Sequence, residues 1–212
     1  MRRLFSTSIR ESLDANSTLT RVRIWESGYF TQENKFVKTN VAHAMFKSIT
    51  TGTGNIGHAS LETKDFYASL WPTKFTIFNK YKIQDGKQST LLRDLKLEDK
   101  DPDHLLDFKT LDLSGILKKV QEFEKNNKYH LIGKVEVFDK NNYGYNCSSF
   151  AYSLLKAGGI NKFITSSTAF LQNYILVTPN GLAKVLIQAK KQEDELLSNK
   201  DQKENNTPEF KK

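Results

Sequence analysis

The stretch NIGHASLETKDFYASLWP, residues 55–72, limits the fold more than any other part of the chain. Its side chains alternate with the period of two that a strand imposes. Ile56, His58, Ser60 and Glu62 fall on one face, and Gly57, Ala59, Leu61 and Thr63 on the other. Thr63, Lys64 and Asp65 make a short polar turn. FYASLWP returns as a second strand, and Pro72 ends it or marks an edge. The hairpin predicts an antiparallel sheet with one apolar face.

The flanking sequence adds further strands and three helices. TLTRVRIWESGYF alternates around Val22 and Ile24 and reads as a strand that turns at Gly28. TTGTGNIG is a Gly- and Thr-rich loop without the Lys and spacing of a phosphate loop. FTIFNKYKI, KYHLIGKVEVFD (bent at Gly133) and NYILVTP read as strands. Residues from about Gln84 to Leu111 are charged and Asp-rich and read as a long loop with little regular structure. A helix opens at Leu113 and Ser114, with Ser114 as its cap and Ile116, Leu117, Val120 and Phe123 as its stripe. Thr178 and Pro179 start a last helix, with Leu182, Val185, Leu186 and Ala189 inward. The mix is α+β, a small antiparallel sheet packed against helices. Residues 1–17 read as a flexible arm, 18–189 as one domain, and 190–212 as a polar, disordered tail.

Composition bounds the chemistry. With one cysteine in 212 residues, no internal disulfide forms and a reducing compartment is the simpler setting. His43, His58, His104 and His130 lack a metal-binding spacing, so no metal or other cofactor is expected. No apolar run reaches membrane-spanning length. The net charge is +8, while the segment from Ala189 to Lys212 holds six lysines against six acidic residues, so the excess lies in the body. A basic body favours anionic surfaces, but its lysines are scattered and specific nucleic-acid recognition is not expected. The oligomeric state leaves no mark in the sequence.

The one cysteine sits in YNCSSFAYSLLKAGG. Asn146 is a good N-cap, Phe150, Leu154 and Ala157 share a face, and Gly158 stops the helix. Cys147 then occupies the first turn, where unpaired N–H groups and the positive end of the helix dipole stabilise a thiolate. The backbone N–H of Cys147 is also placed to donate to an oxyanion. A lone cysteine in such a helix is by default a buried filler, and a lone histidine a structural one. His58 is the best candidate partner, because it stands on a short strand among small residues.

GHASLE, then YASLWP, and much later NCSSFAYSLLKAGG resemble the circularly permuted branch of the NlpC-type, papain-like cysteine hydrolases, including secreted bacterial toxins and effectors. The branch carries its histidine strand before its cysteine helix, the order found here. The resemblance covers roughly residues 20–190. It implies Cys147 as nucleophile and His58 as general base. It also implies a third group on the next strand, where this chain offers no Asn, Asp or second His.

Ser69 and Glu62 are the candidates to orient His58. The position opposite His58 falls between Ser69, which can accept from the ring, and Trp71, which can pack on it. Glu62 shares the His58 face, but four strand residues span about 13 Å, too far for contact along one strand. The resemblance also implies a tyrosine lining the oxyanion site, and Tyr145, just before Cys147, is the candidate. The function expected is thiol hydrolysis of an amide or ester through an acyl-enzyme, on a peptide, muropeptide or lipid acyl substrate. The alternatives are an acyltransferase of the same fold acting on lipid, or a non-catalytic binding protein with a basic surface. The setting implied is the bacterial cytoplasm or, after delivery, a host cell.

Overall fold

A computed structural model describes residues 18–73, 84–125, 128–130, 144–164 and 177–205. Their elements, in chain order, are β1 (Thr20–Trp25), β2 (Gly28–Phe30), β3 (Phe36–Lys38), α1 (Val41–Thr50), β4 (Gly54–Asn55), β5 (His58–Glu62), β6 (Tyr67–Pro72), β7 (Gln84–Gln88), α2 (Leu91–Glu98), β8 (His104–Phe108), α3 (Leu113–Glu124), β9 (Lys128–Tyr129), α4 (Cys147–Ala157), a short 3-10 turn (Ile160–Phe163) and α5 (Pro179–Asn205). The expected arm 1–17, the strand FTIFNKYKI, most of KYHLIGKVEVFD and NYILVTP, and residues 206–212 lie outside the described residues.

Six strands pair antiparallel in the order β8-β1-β5-β6-β7-β9. The hairpin alternation sorts this sheet into two faces. Val22, Ile24, Ala59, Leu61, Ala68 and Leu70 join Ile116, Val120 and Phe123 of α3, Phe150, Leu154 and Leu155 of α4, and Leu182 and Leu186 of α5 in one buried cluster. Each of the Val, Leu, Ile and Phe side chains contributes about 1.5–3 kcal/mol on leaving water, the alanines less. The register sets Trp25 against His58, Arg23 against Ser60 and Ser60 against Ser69, so these residues share the opposite face. Helix α2 covers that face through Leu91 and Leu95, which pack with Trp25 and Tyr67.

A smaller sheet, β3-β2-β4, lies beside α1. Asn40 caps this helix by accepting from the His43 amide at 2.9 Å. The approach of β4 to α1 requires glycine at position 54, where a Cβ would come within 1.9 Å of the Ala44 carbonyl oxygen.

The structure corrects the sequence reading between Gln84 and Leu111. The expected loop contains β7, β8 and the helix α2. Thr90 caps α2 by accepting from the Arg93 amide, and Asp99 closes it in the left-handed region at φ 50°. The acidic residues that suggested a solvated loop are partly interior: Asp94 and Glu98 are both buried. Helix α3 is capped by Asp112 rather than Ser114, whose own amide and hydroxyl donate to Asp112 Oδ1. Leu117 and Ala157 are exposed, off their expected inward stripes.

The boundary after Ala189 also moves. Helix α5 continues from Pro179 to Asn205, so residues 190–205 are helical. Glu193 explains why: it is fully buried and accepts from the Lys109 amide (2.9 Å), the Thr110 amide (2.8 Å) and the Thr110 hydroxyl (2.8 Å). Two backbone donors before α3 thus find their acceptor on a helix more than eighty residues away. Glu193→Ala is expected to destabilise the fold by about 1–3 kcal/mol, because it leaves two part-buried amides and a hydroxyl without their acceptor. Urea unfolding checks this, and an unchanged midpoint would show that α5 beyond Ala189 does not hold the body.

Candidate active site

The site is assembled where the start of α4 meets the start of β5. Asn146 is extended (φ −89°, ψ 174°) and closes a capping box with Ser149. Its Oδ1 accepts from the Ser149 amide at 2.7 Å, and its own amide donates to Ser149 Oγ at 2.9 Å. Asn146 Nδ2 also donates to the Val177 carbonyl at 3.0 Å, tying the cap to the chain entering α5. Cys147 is the first helical residue, buried with 8 % exposure. The local expectation for this helix therefore holds at its cap, its first residue and its inward residues Phe150 and Leu154.

His58 is 1 % exposed and opens β5. Strand geometry begins there because Gly57 sits in the left-handed region at φ 77°, where a Cβ would also meet the Trp25 carbonyl oxygen at 2.4 Å. Trp71 stacks on the imidazole with ring centroids 4.3 Å apart, and Trp25 closes the other approach at 5.7 Å. His58 Nε2 lies 2.9 Å from Ser69 Oγ and 3.1 Å from Asp94 Oδ2. Ser69 and Trp71 thus stand where the hairpin register put them. Asp94 is the residue the sequence reading missed, because it lies on α2, inside the stretch taken for a loop.

Asp94 is fully buried among donors. Tyr67 Oη donates to its Oδ2 at 2.7 Å and Trp71 Nε1 to its Oδ1 at 2.7 Å. Burial disfavours its charge, but the His58 charge and hydrogen bond, with Ser69 and Ser89, hold the carboxyl well below the usual carboxylate range. Burial and the same carboxylate push the Tyr67 hydroxyl up. His58 shows the reciprocal effect. Burial alone would strip its proton, yet the Asp94 charge, then the Cys147 charge, and the hydrogen bond to Asp94 push the ring up to about 10. The charge at Cys147 therefore acts on the imidazole, while the sulfur's own hydrogen-bond contact among the described residues is Ser148 Oγ at 3.9 Å.

Comparison with protein-family models, curated proteins and solved structures finds no match.

A small cleft opens at this point, lined by Val41, Ile56, Gly57, Tyr129, Asn146, Cys147 and the segment Val177–Pro179. No lining residue is charged, which suits an apolar or neutral group. Tyr129 lines the cleft together with Cys147, and burial, then the charge at Cys147, push its hydroxyl up. Tyr145, the sequence candidate for that place, turns its ring onto Phe123 and Phe150 at centroid distances of 5.5 and 6.4 Å. Glu62 does not reach His58. It pairs with Arg23 at 2.7 Å, with both side chains buried.

The pair of shifts predicts a pH dependence. His58 is raised from 6.5 to about 10, so its contribution to stability is complete below pH 6.5 and is lost as pH rises through about 10. Asp94 is lowered from 3.8, so its contribution is present above pH 3.8 and is lost as pH falls through its folded value. The stability difference between the wild type and Asp94→Asn is expected to be largest between these limits, at pH 3.8 to 6.5, and to shrink steadily toward pH 10. Denaturant melts across that range test it, and a difference independent of pH would show that the ring is neutral in the fold.

Proposed function

We propose that this protein is a thiol hydrolase in which Cys147 is the nucleophile, His58 the general base and Asp94 the group that orients and charges His58. The observation that carries this reading is a buried His58 that bonds Asp94 at 3.1 Å and feels the charge of Cys147 at a helix start. It agrees with the resemblance to the permuted papain-like branch, with Asp94 on a helix replacing a third group on the next strand.

The chemistry follows from the positions. Asp94 and Ser69 engage Nε2, so Nδ1 is the nitrogen that exchanges a proton with the thiol. His58 takes the proton, and the thiolate adds to the carbonyl carbon of an amide or ester. The capping box uses the Ser149 amide, and the Cys147 amide at the helix start is the donor for the oxyanion. Tyr129, on the cleft wall, is a second candidate donor. Collapse of the intermediate expels the amine or alcohol, which His58 protonates. Water, deprotonated by His58, then adds to the thioester and releases the acid and the free thiol. An acceptor amine in place of water makes the same machinery an acyltransferase. The uncharged lining of the small cleft is compatible with the neutral carbonyl of a peptide, muropeptide or lipid acyl group. A reducing setting, the bacterial cytoplasm or a host cell after delivery, keeps the single thiol available.

The test is a set of short acyl p-nitrophenyl esters and peptide thioesters, followed by intact-mass detection of an acyl adduct. The expected result is an adduct on Cys147 with the wild type and none with Cys147→Ala. His58→Ala should lower the acylation rate about 10²- to 10⁴-fold. Acylation that is unchanged by His58→Ala, or no adduct with any acyl donor, would reject the hydrolase reading.

A further inference from the structure

Helix α2 buries a second carboxylate one turn beyond Asp94. Glu98 is 3 % exposed, and its Oε2 accepts from Asn55 Nδ2 at 2.8 Å. Asn55 Oδ1 in turn accepts from the Gly57 amide at 2.6 Å. That amide belongs to the left-handed turn that ends in His58. On the far side of the same turn, Ser27 Oγ donates to the Ile56 carbonyl at 2.7 Å. Ile56 and Gly57 are also walls of the cleft beside Cys147. The residues leading into His58 are thus clamped between Ser27 and an Asn55–Glu98 pair, while the imidazole is clamped by Asp94 on the same helix.

A buried carboxyl is costly unless it is bonded, and Glu98 stands where no chemical step uses it. Burial pushes its carboxyl up, and the His58 charge, the Asn55 bond and Lys100 oppose that. The His58 effect shows that Glu98 is close enough to feel the ring's charge. Residues 94 and 98 are four apart and lie on one side of α2, so a single rigid helix sets both the ring and the turn before it.

We propose that Glu98, acting through Asn55, is a positioning residue that fixes the Gly57 turn and so sets the His58 ring and the cleft wall against Cys147. This rests on the Cys147–His58 reading. A displacement of the ring by about 1 Å is enough to lower its efficiency by an order of magnitude or more. The Gln side chain keeps an oxygen for Asn55 Nδ2, whereas Leu keeps the bulk and removes the acceptor.

The experiment measures the iodoacetamide labelling rate of Cys147 against pH, with thermal unfolding of the same samples, for the wild type, Glu98→Leu, Glu98→Gln, Asn55→Ala and His58→Ala. The expected result is labelling slowed about tenfold in Glu98→Leu and Asn55→Ala, with pH profiles moved toward that of His58→Ala, and recovery to within about twofold of wild type in Glu98→Gln. Should Glu98→Leu fail to fold, Asn55→Ala decides, since Asn55 is only partly buried on a two-residue strand. Melting temperatures that fall while the labelling profiles of the folded variants stay wild-type would overturn the proposal and leave Glu98 as a purely structural carboxyl. If His58→Ala itself labels like the wild type, the hydrolase reading fails instead, which separates the two outcomes.

Discussion

His58→Ala is expected to slow alkylation of Cys147 by iodoacetamide about tenfold near pH 6.5, while leaving the sheet intact. The wild-type cysteine acts on an imidazole whose proton is held up to about 10, against burial, by the charges of Asp94 and Cys147. An imidazolium at that place stabilises the thiolate that attacks the reagent. Alanine removes the charge and costs stability, because Asp94 is left buried without its cation, but the strand itself accepts a small side chain, as at Ser60 on the same face. Asp94→Asn should give an intermediate rate. It leaves the ring in place but removes the largest charge favouring its proton, so the neutral pair of thiol and imidazole gains population. His130→Ala serves as the control and should label like the wild type. The pH profiles of the four proteins decide the matter. Superimposable profiles for wild type and His58→Ala would return Cys147 to the rank of a packing residue and His58 to that of a structural one.

Breaking the Arg23–Glu62 pair should have the largest effect on stability of any single side-chain change on the polar face of the sheet. Both side chains are removed from water, at 0 % and 5 % exposure, and Arg23 Nη1 sits 2.7 Å from Glu62 Oε2. Glu62→Leu leaves the guanidinium buried without its carboxylate, and the expected cost is about 3–5 kcal/mol, read as a lower urea midpoint. The double variant Arg23→Met, Glu62→Leu should recover much of that loss, since a buried pair replaced by apolar groups of similar size is often neutral. The same single variant also separates the two roles considered for Glu62. Its folded fraction should still label at Cys147 at the wild-type rate, because Glu62 bonds Arg23 and not the ring. A slowed rate in folded protein would restore Glu62 to the candidate site, and a cost below about 1 kcal/mol would place the pair in contact with water.

The parts of this protein that were legible in the sequence are those decided by neighbours along the chain. The alternation from Ile56 to Trp71 placed His58 on a strand with Ser69 and Trp71 across the hairpin, since a two-residue period and a short turn fix which side chains face each other. The helix at Cys147 was legible for the same reason: Asn146, Ser149 and Gly158 satisfy its ends within a dozen residues. Long-range pairing decided the rest. Asp94 reaches His58 across 36 positions, and nothing local distinguishes it from the other acidic residues between Gln84 and Leu111. The helix α2 could have been read from Thr90 as a cap and from Leu91 and Leu95 at helical spacing, but the surrounding charge argued for solvent. Glu193 repeats the lesson from the other end of the chain, where a polar run read as a tail docks on the amides of Lys109 and Thr110. Local propensity and periodicity determine where strands and helices form. Which carboxylates leave water is determined only when the packed elements bring a charge or a pair of donors close enough to offset their desolvation.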